Sequence, residues 1–212
     1  KIIPTTITGA VTNVGMGMSP TESPWFAESS TMEFSPFCYN HVYLGSGNQL
    51  FKSIDGGANY AAIYTDPDAS SLVLGIETTR ANPSKMFIVV RPFSGNAKLL
   101  TTTDDWVTST NISLPSGGAN LVLVSVDPEN EQVIWVAYPR GPDGGKVFKS
   151  INGGASWTNQ TSSQLDAQNI QSIETIGGTD GGVYIGTSVS CYYKNNSLSN
   201  WVIDNLNLPI TI

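Results

Sequence analysis

The 212-residue chain carries little charge and few chemically reactive side chains: 13% charged residues, two cysteines and one histidine. Two cysteines, Cys38 and Cys191, do not make a disulfide framework, and no Cys-x-x-Cys pair offers metal-ligand spacing. His41 cannot form a zinc site without further ligands, and no Ser or Cys nucleophile with an orienting acid stands beside it. Basic residues are scarce, ten Lys plus Arg against 17 Asp plus Glu, for a net charge of −7. Nucleic acid is therefore not an expected partner, because phosphate neutralisation needs a basic face. No stretch approaches the roughly 18 consecutive apolar residues of a membrane helix, so no membrane span is expected. No charged segment leads into a long apolar run, as a secretory leader would. Lys1 and the following Ile2-Ile3-Pro4-Thr5-Thr6-Ile7-Thr8 read as a strand, so the chain is expected to be mature or excised from something larger. No cofactor motif is found, and none is expected. A sustained apolar period of 3.6 is also missing, and residues 164–169 are expected to make one helical turn at most.

What is present points to β structure. Hydrophobic residues are 40% of the chain, enough for a packed core at 22.6 kDa. There are 21 glycines and 12 prolines to punctuate short strands. Low charge with abundant Thr, Ser, Asn and Gly points to secretion.

One hairpin recurs four times. Gln49-Leu50-Phe51-Lys52-Ser53-Ile54-Asp55-Gly56-Gly57-Ala58-Asn59-Tyr60 and Lys146-Val147-Phe148-Lys149-Ser150-Ile151-Asn152-Gly153-Gly154-Ala155-Ser156-Trp157 correspond throughout Ser-Ile-Asx-Gly-Gly-Ala. A shortened copy has Thr102, Asp104 and Trp106, and a degenerate one runs from Cys191 to Trp201. The closing aromatics Tyr60, Trp106, Trp157 and Trp201 are 46, 51 and 44 residues apart. A period of about 40–50 residues fits a four-stranded propeller blade. Asp55 or Asn152 closes the loop by bonding nearby backbone N–H groups, as Ser53 and Ser150 do from the strand end. Gly57 and Gly154 supply positive φ, and the aromatic roofs the turn.

These segments resemble the Asp-box, or BNR repeat: Ser or Thr, any residue, Asp, any residue, Gly, any residue, Thr or Ser, then Trp or Phe. Asn152 replaces the acid in one copy and Tyr60 the Trp in another. The resemblance implies a β-propeller. In that family the motif is a folding element, shared by sialidases, xyloglucan-cleaving enzymes, sortilin-like receptors and non-catalytic bacterial surface proteins. Residues 181–209 further resemble the closing blades of large secreted proteins of Bacteroidetes-type bacteria. That resemblance implies a secreted or cell-surface location and type IX secretion.

Alternation and turn residues divide the chain into four blades, each of strands A to D. Blade one takes residues 31–64, with strands 31–35, 42–45, 49–53 and 59–63. Blade two takes 72–111, with strands 72–78, 86–91, 98–102 and 106–111. Blade three takes 119–161, with strands 120–126, 132–137, 146–150 and 156–161. Blade four takes 170–212, with strands 170–176, 183–187, 190–194 and 201–204. Residues 1–30 read as a lead-in strand or partial preceding blade, with Pro24-Trp25-Phe26 as a packing plug. Residues 206–212 read as the start of a further strand. The fold class is thus all-β, a four-blade arc of a six- to eight-bladed propeller, with remaining blades supplied by the same polypeptide or a partner chain.

Chain direction places A–B and C–D turns on one face and B–C and D–A connections on the other. Cys38 and Cys191 fall near opposite faces. A disulfide tolerates at most about 7 Å between Cα atoms, so the thiols are expected to be unbonded to each other and mostly buried. Three arginines, Arg80, Arg91 and Arg140, do not converge as a sialidase-like site requires. Glu77 and Glu174 lie late in A strands and face the channel, where polar lining is the plain alternative to a catalytic role. Acidic turns such as Asp66-Pro67-Asp68 serve as turn formers and lack the ligand density of a calcium loop. The B–C loops are left as the binding candidates: Arg91 and Phe93 in one, Tyr138 and Arg140 in the other. The expected role is a non-catalytic module binding a glycan or protein ligand. The alternative is part of a glycoside hydrolase completed by other blades.

Overall fold

The computed structural model describes residues 31–204, which form four antiparallel sheets of four strands each. The first sheet is β1 Thr31–Phe34, β2 Val42–Ser46, β3 Gln49–Ser53 and β4 Ala61–Thr65. The second is β5 Leu72–Thr78, β6 Met86–Arg91, β7 Lys98–Thr102 and β8 Thr110–Ile112. The third is β9 Leu123–Val126, β10 Ile134–Ala137, β11 Val147–Ser150 and β12 Thr158–Asn159. The fourth is β13 Ile170–Thr175, β14 Val183–Thr187, β15 Cys191–Lys194 and β16 Val202–Ile203. Within each sheet every strand pairs with its sequence neighbours. Successive sheets are therefore blades one to four, each a meander.

The core lies between blades rather than inside them. Met86, Ile88 and Val90 of β6, with Val73 of β5, pack toward Tyr43 and Leu50 of blade one. The alternate residues Phe87 and Val89 pack toward blade three with Val124, Ile134 and Val136. Strand β10 repeats the division: Trp135 and Ala137 turn to blade four and meet Ile173, Val183 and Ile185. Period-two alternation therefore serves two cores at once, which explains why β10 is buried along its whole length.

The register is equivalent in all four blades. Phe34, Thr78, Val126 and Thr175 each end strand A opposite the first residue of strand B, namely Val42, Met86, Ile134 and Val183. The residue before each is Glu33, Glu77, Ser125 and Glu174, and the first three bond to the next blade. Glu33 accepts from the Thr78 hydroxyl at 2.9 Å. Glu77 accepts from the Val126 N–H at 3.1 Å. The Ser125 and Thr175 hydroxyls lie 3.0 Å apart.

Several sequence expectations are corrected. The outer strands of blades two to four are shorter than 106–111, 156–161 and 201–204, because the turn residues spend their backbone groups on loop closure. In blade one the outer strand starts at Ala61 rather than 59 for the same reason. Cys38 is exposed and Cys191 half-buried, so the thiols are not mostly buried, and neither forms a disulfide. Helical structure is a 3-10 turn at Ser163–Leu165, overlapping the expected position, and another at Pro115–Gly117 that was not anticipated. The lead-in over 1–30, the Pro24-Trp25-Phe26 plug and the strand start at 206–212 lie outside the described residues.

Candidate ligand-binding site

The C–D turns hold the blades in position. The Ser53 hydroxyl accepts from the Gly57 N–H at 2.8 Å and donates to Asp55 at 2.8 Å. Asp55 in turn accepts from the Asn59 backbone and side chain at 2.9 and 2.8 Å. The Asn59 amide, then its backbone N–H and the Ser53 hydroxyl, hold the Asp55 carboxyl down at about 2. In blade three the same turn uses neutral Asn152. Its Oδ1 accepts from Ser156 N–H at 2.9 Å, and the Ser150 hydroxyl accepts from Gly154 N–H at 2.8 Å.

In blade two Thr102 and Asp104 make the equivalent bonds, Asp104 accepting from Thr108 N–H at 2.9 Å. Counting from the hydroxyl residue, however, Trp106 falls at the position of Gly57 and Gly154, not of Tyr60 and Trp157. Asp105 and Trp106 have φ of 56° and 69°, where the turns of blades one and three have glycine pairs. Spacing between aromatics alone hid this three-residue displacement. Trp106 still roofs the preceding blade, with its ring centroid 5.2 Å from that of Tyr64. In blade four Lys194 pairs with Val183 as Ser150 does with Ile134. A buried ammonium donating to the Leu198 carbonyl thus replaces the hydroxyl.

The two faces of the arc differ in charge. On the turn face a cavity of about 330 Å³ is lined by Glu33, Glu77, Glu174, Thr78, Thr175 and Arg80, among others. Burial drives the Glu77 carboxyl well above the ordinary range, with Glu174 and Glu33 adding repulsion and the Val126 N–H opposing. Burial also raises Glu33 and Glu174. Among the described residues no group of His, Cys, Asp and Glu has the arrangement of a metal site.

The opposite face carries the residues singled out from the loops. A cavity of about 440 Å³ between blades two and three is lined by Arg91, Tyr138 and Arg140, together with Ser116, Asn120 and Pro142. Arg91, 47 residues before Tyr138, is thus brought to the same cavity as Tyr138 and Arg140. Phe93, 84% exposed, lines a smaller adjoining cavity that shares Arg91 and Asn120. Tyr138 differs from expectation: it is buried. Its hydroxyl donates to the Pro115 carbonyl at 2.6 Å and its ring lies 5.7 Å from Phe148. It shapes the cavity wall rather than offering a face to a ligand. From the other side the Asn96 amide donates to the Gly117 carbonyl at 2.5 Å. The wall segment between them is left-handed at Ser116, Gly117 and Gly118, with φ of 53°, 78° and 80°. Arg80 lies on the other face, so the three arginines do not converge.

Two buried charges went unread in the sequence. Lys146 is 3% exposed; it donates to the Gln168 carbonyl at 2.8 Å and pairs with Asp143 at 3.2 Å. Asp66, expected only as a turn former, is 1% exposed and pairs with Lys98 at 3.0 Å. Burial pushes Asp66 up, but bonds from Lys98, the Asp68 N–H and Tyr64 outweigh it and hold the carboxyl low. Only the facing lysine, 32 residues away, would have signalled this.

No protein-family model matches the sequence, and comparison with curated proteins gave no match. Solved structures do resemble it. The GH74 enzyme of Niastella koreensis is 23% identical with a TM-score of 0.58, over 80% of this chain and 30% of that one. The GH74 xyloglucanase of Xanthomonas campestris is 17% identical with a TM-score of 0.62, over 84% of this chain and 30% of that one. YCF48 from Cyanidioschyzon merolae is 16% identical with a TM-score of 0.57, over 81% of this chain and 54% of that one. This chain therefore spans about a third of the GH74 chains. At these identities the likeness concerns the fold alone. That fold is a β-propeller, shared by glycoside hydrolases and other proteins, of which the four sheets form a part.

Proposed function

We propose that this chain is a non-catalytic binding module, an arc of an Asp-box propeller in a secreted or cell-surface bacterial protein. Its ligand, a glycan or a protein, sits on the face of the B–C loops. The observation that carries this reading is the cavity of about 440 Å³ lined by both Arg91 and Arg140, with a wall held by Tyr138. Its volume is that of a small-molecule site, and among the described residues its lining includes no Asp, Glu or His to serve as acid or base. Further blades or domains, of the same polypeptide or a partner chain, complete the ring.

A second reading is part of a glycoside hydrolase whose site other blades complete, favoured by the likeness to GH74 structures. Screening this chain, and the longest polypeptide that carries it, against polysaccharides separates the two. Saturable binding without turnover is expected. Robust hydrolysis would replace the first reading by the second.

A further inference from the structure

The cavity between blades two and three is lined by two arginines that have no ion-pair partner among the described residues. Among the described residues the ion pairs are Lys52–Asp105, Lys98–Asp66 and Lys146–Asp143, and none involves an arginine. Asp143, three residues from Arg140, and Asp166, bonded to the same loop, are engaged elsewhere. Asp143 binds Lys146 and accepts from the Ala167 N–H at 2.8 Å. Asp166 accepts from the Gly144 N–H at 3.1 Å. Two guanidiniums thus line one cavity in a protein of net charge −7 with only three arginines.

We infer that this cavity binds an acidic saccharide residue, its anionic group held between Arg91 and Arg140. The inference rests on the proposed reading of this face as the binding face. A guanidinium presents a rigid fork that matches carboxylate or sulfate oxygens two at a time. Asn120 and Ser116 supply an amide and a hydroxyl for sugar hydroxyls. Phe93, exposed in the adjoining cavity, offers a flat ring to the C–H face of a neighbouring sugar. The volume suits one or two sugar rings, whereas a stable protein partner needs about 800 Å² of surface on each side. The left-handed Ser116 fits the same conclusion, since strained backbone concentrates at ligand sites.

The test is calorimetric titration with four probes: oligogalacturonates, sulfated galacto-oligosaccharides and neutral gluco-oligosaccharides of matched length, and an acidic peptide. Binding of either acidic saccharide, weakening as salt rises, is expected. Arg140→Gln should weaken it at least tenfold and Arg140→Lys less, because an ammonium lacks the fork. Arg91→Gln should act like Arg140→Gln, with circular dichroism confirming the fold. Arg80→Gln, on the opposite face, should change nothing. The two acidic saccharides distinguish carboxylate from sulfate. Equal binding of neutral probes, indifferent to both arginine variants but lost on Phe93→Ala, overturns the acidic ligand and keeps the binding face. Preference for an acidic peptide over every saccharide, or no binding by any probe, also overturns the inference.

Discussion

The indole N–H of Trp201 in blade four donates to the carbonyl of Gln160 in blade three at 2.8 Å. Trp157 makes the same bond back to Ser113, just beyond blade two, also at 2.8 Å. Each ring closes its own hairpin and fastens that blade to the one before it. Trp106 covers the preceding blade from a different turn position, and its Nε1 has no partner among the described residues.

Replacing these tryptophans by phenylalanine should therefore have unequal effects. Trp201→Phe loses ring volume and leaves the Gln160 carbonyl without its donor. A cost of about 2–4 kcal/mol is expected. Trp106→Phe loses volume but removes an unsatisfied buried donor, and should cost about 1–2 kcal/mol. Urea unfolding of the two variants decides; equal losses would show that the indole bond does not clamp the blades.

Glycines at the second left-handed turn position should also differ. Gly57 and Gly154 have φ of 93° and 89°, so alanine strains either, by about 1–2 kcal/mol. A Cβ at Gly154 would lie 2.3 Å from Ile112 of the preceding blade, whereas one at Gly57 would meet the Tyr60 hydroxyl at 3.2 Å. Overpacking adds about 1–3 kcal/mol to Gly154→Ala. Thermal melts should rank Gly154→Ala well below Gly57→Ala.

The hydroxyl that closes each turn is testable in the same way. Ser150→Ala leaves the buried Gly154 N–H and the Asn152 N–H without their acceptor. The expected loss is about 1–3 kcal/mol. Threonine at the same position should be tolerated, since Thr102 already serves blade two. A neutral Ser150→Ala would mean that packing alone defines the turn.

The glutamates between blades predict a pH dependence. Glu33, Glu77 and Glu174 all have raised pKa values. Unfolded glutamate titrates near pH 4.3, so above that value the folded chain retains protons that the unfolded chain has lost. Stability should fall as pH rises from there through the folded values. Asp55 and Asp104 have the opposite sign, their stabilisation being lost as pH falls below about 4. Glu77→Gln keeps an acceptor for the Val126 N–H and removes the buried charge. The variant should be more stable than the parent near neutrality and indistinguishable from it near pH 4. A constant difference across the range would exclude burial of the charge as the cause.

The recurring Ser-Ile-Asx-Gly-Gly-Ala and period-two apolar runs were sufficient to give the blades, their strand order and their A–B and C–D turns. Each of these depends on residues within a few positions of one another. A glycine pair supplies two left-handed residues, and a hydroxyl two residues before an Asx closes the loop, whatever lies outside the blade. What required the tertiary structure was set between blades. The burial of Asp66 and Tyr138 and the presence of Arg91 and Arg140 in one cavity all depend on partners tens of residues away. Local sequence determines which way a side chain leaves its strand. The neighbouring blade decides whether it meets solvent, a core or a counter-charge.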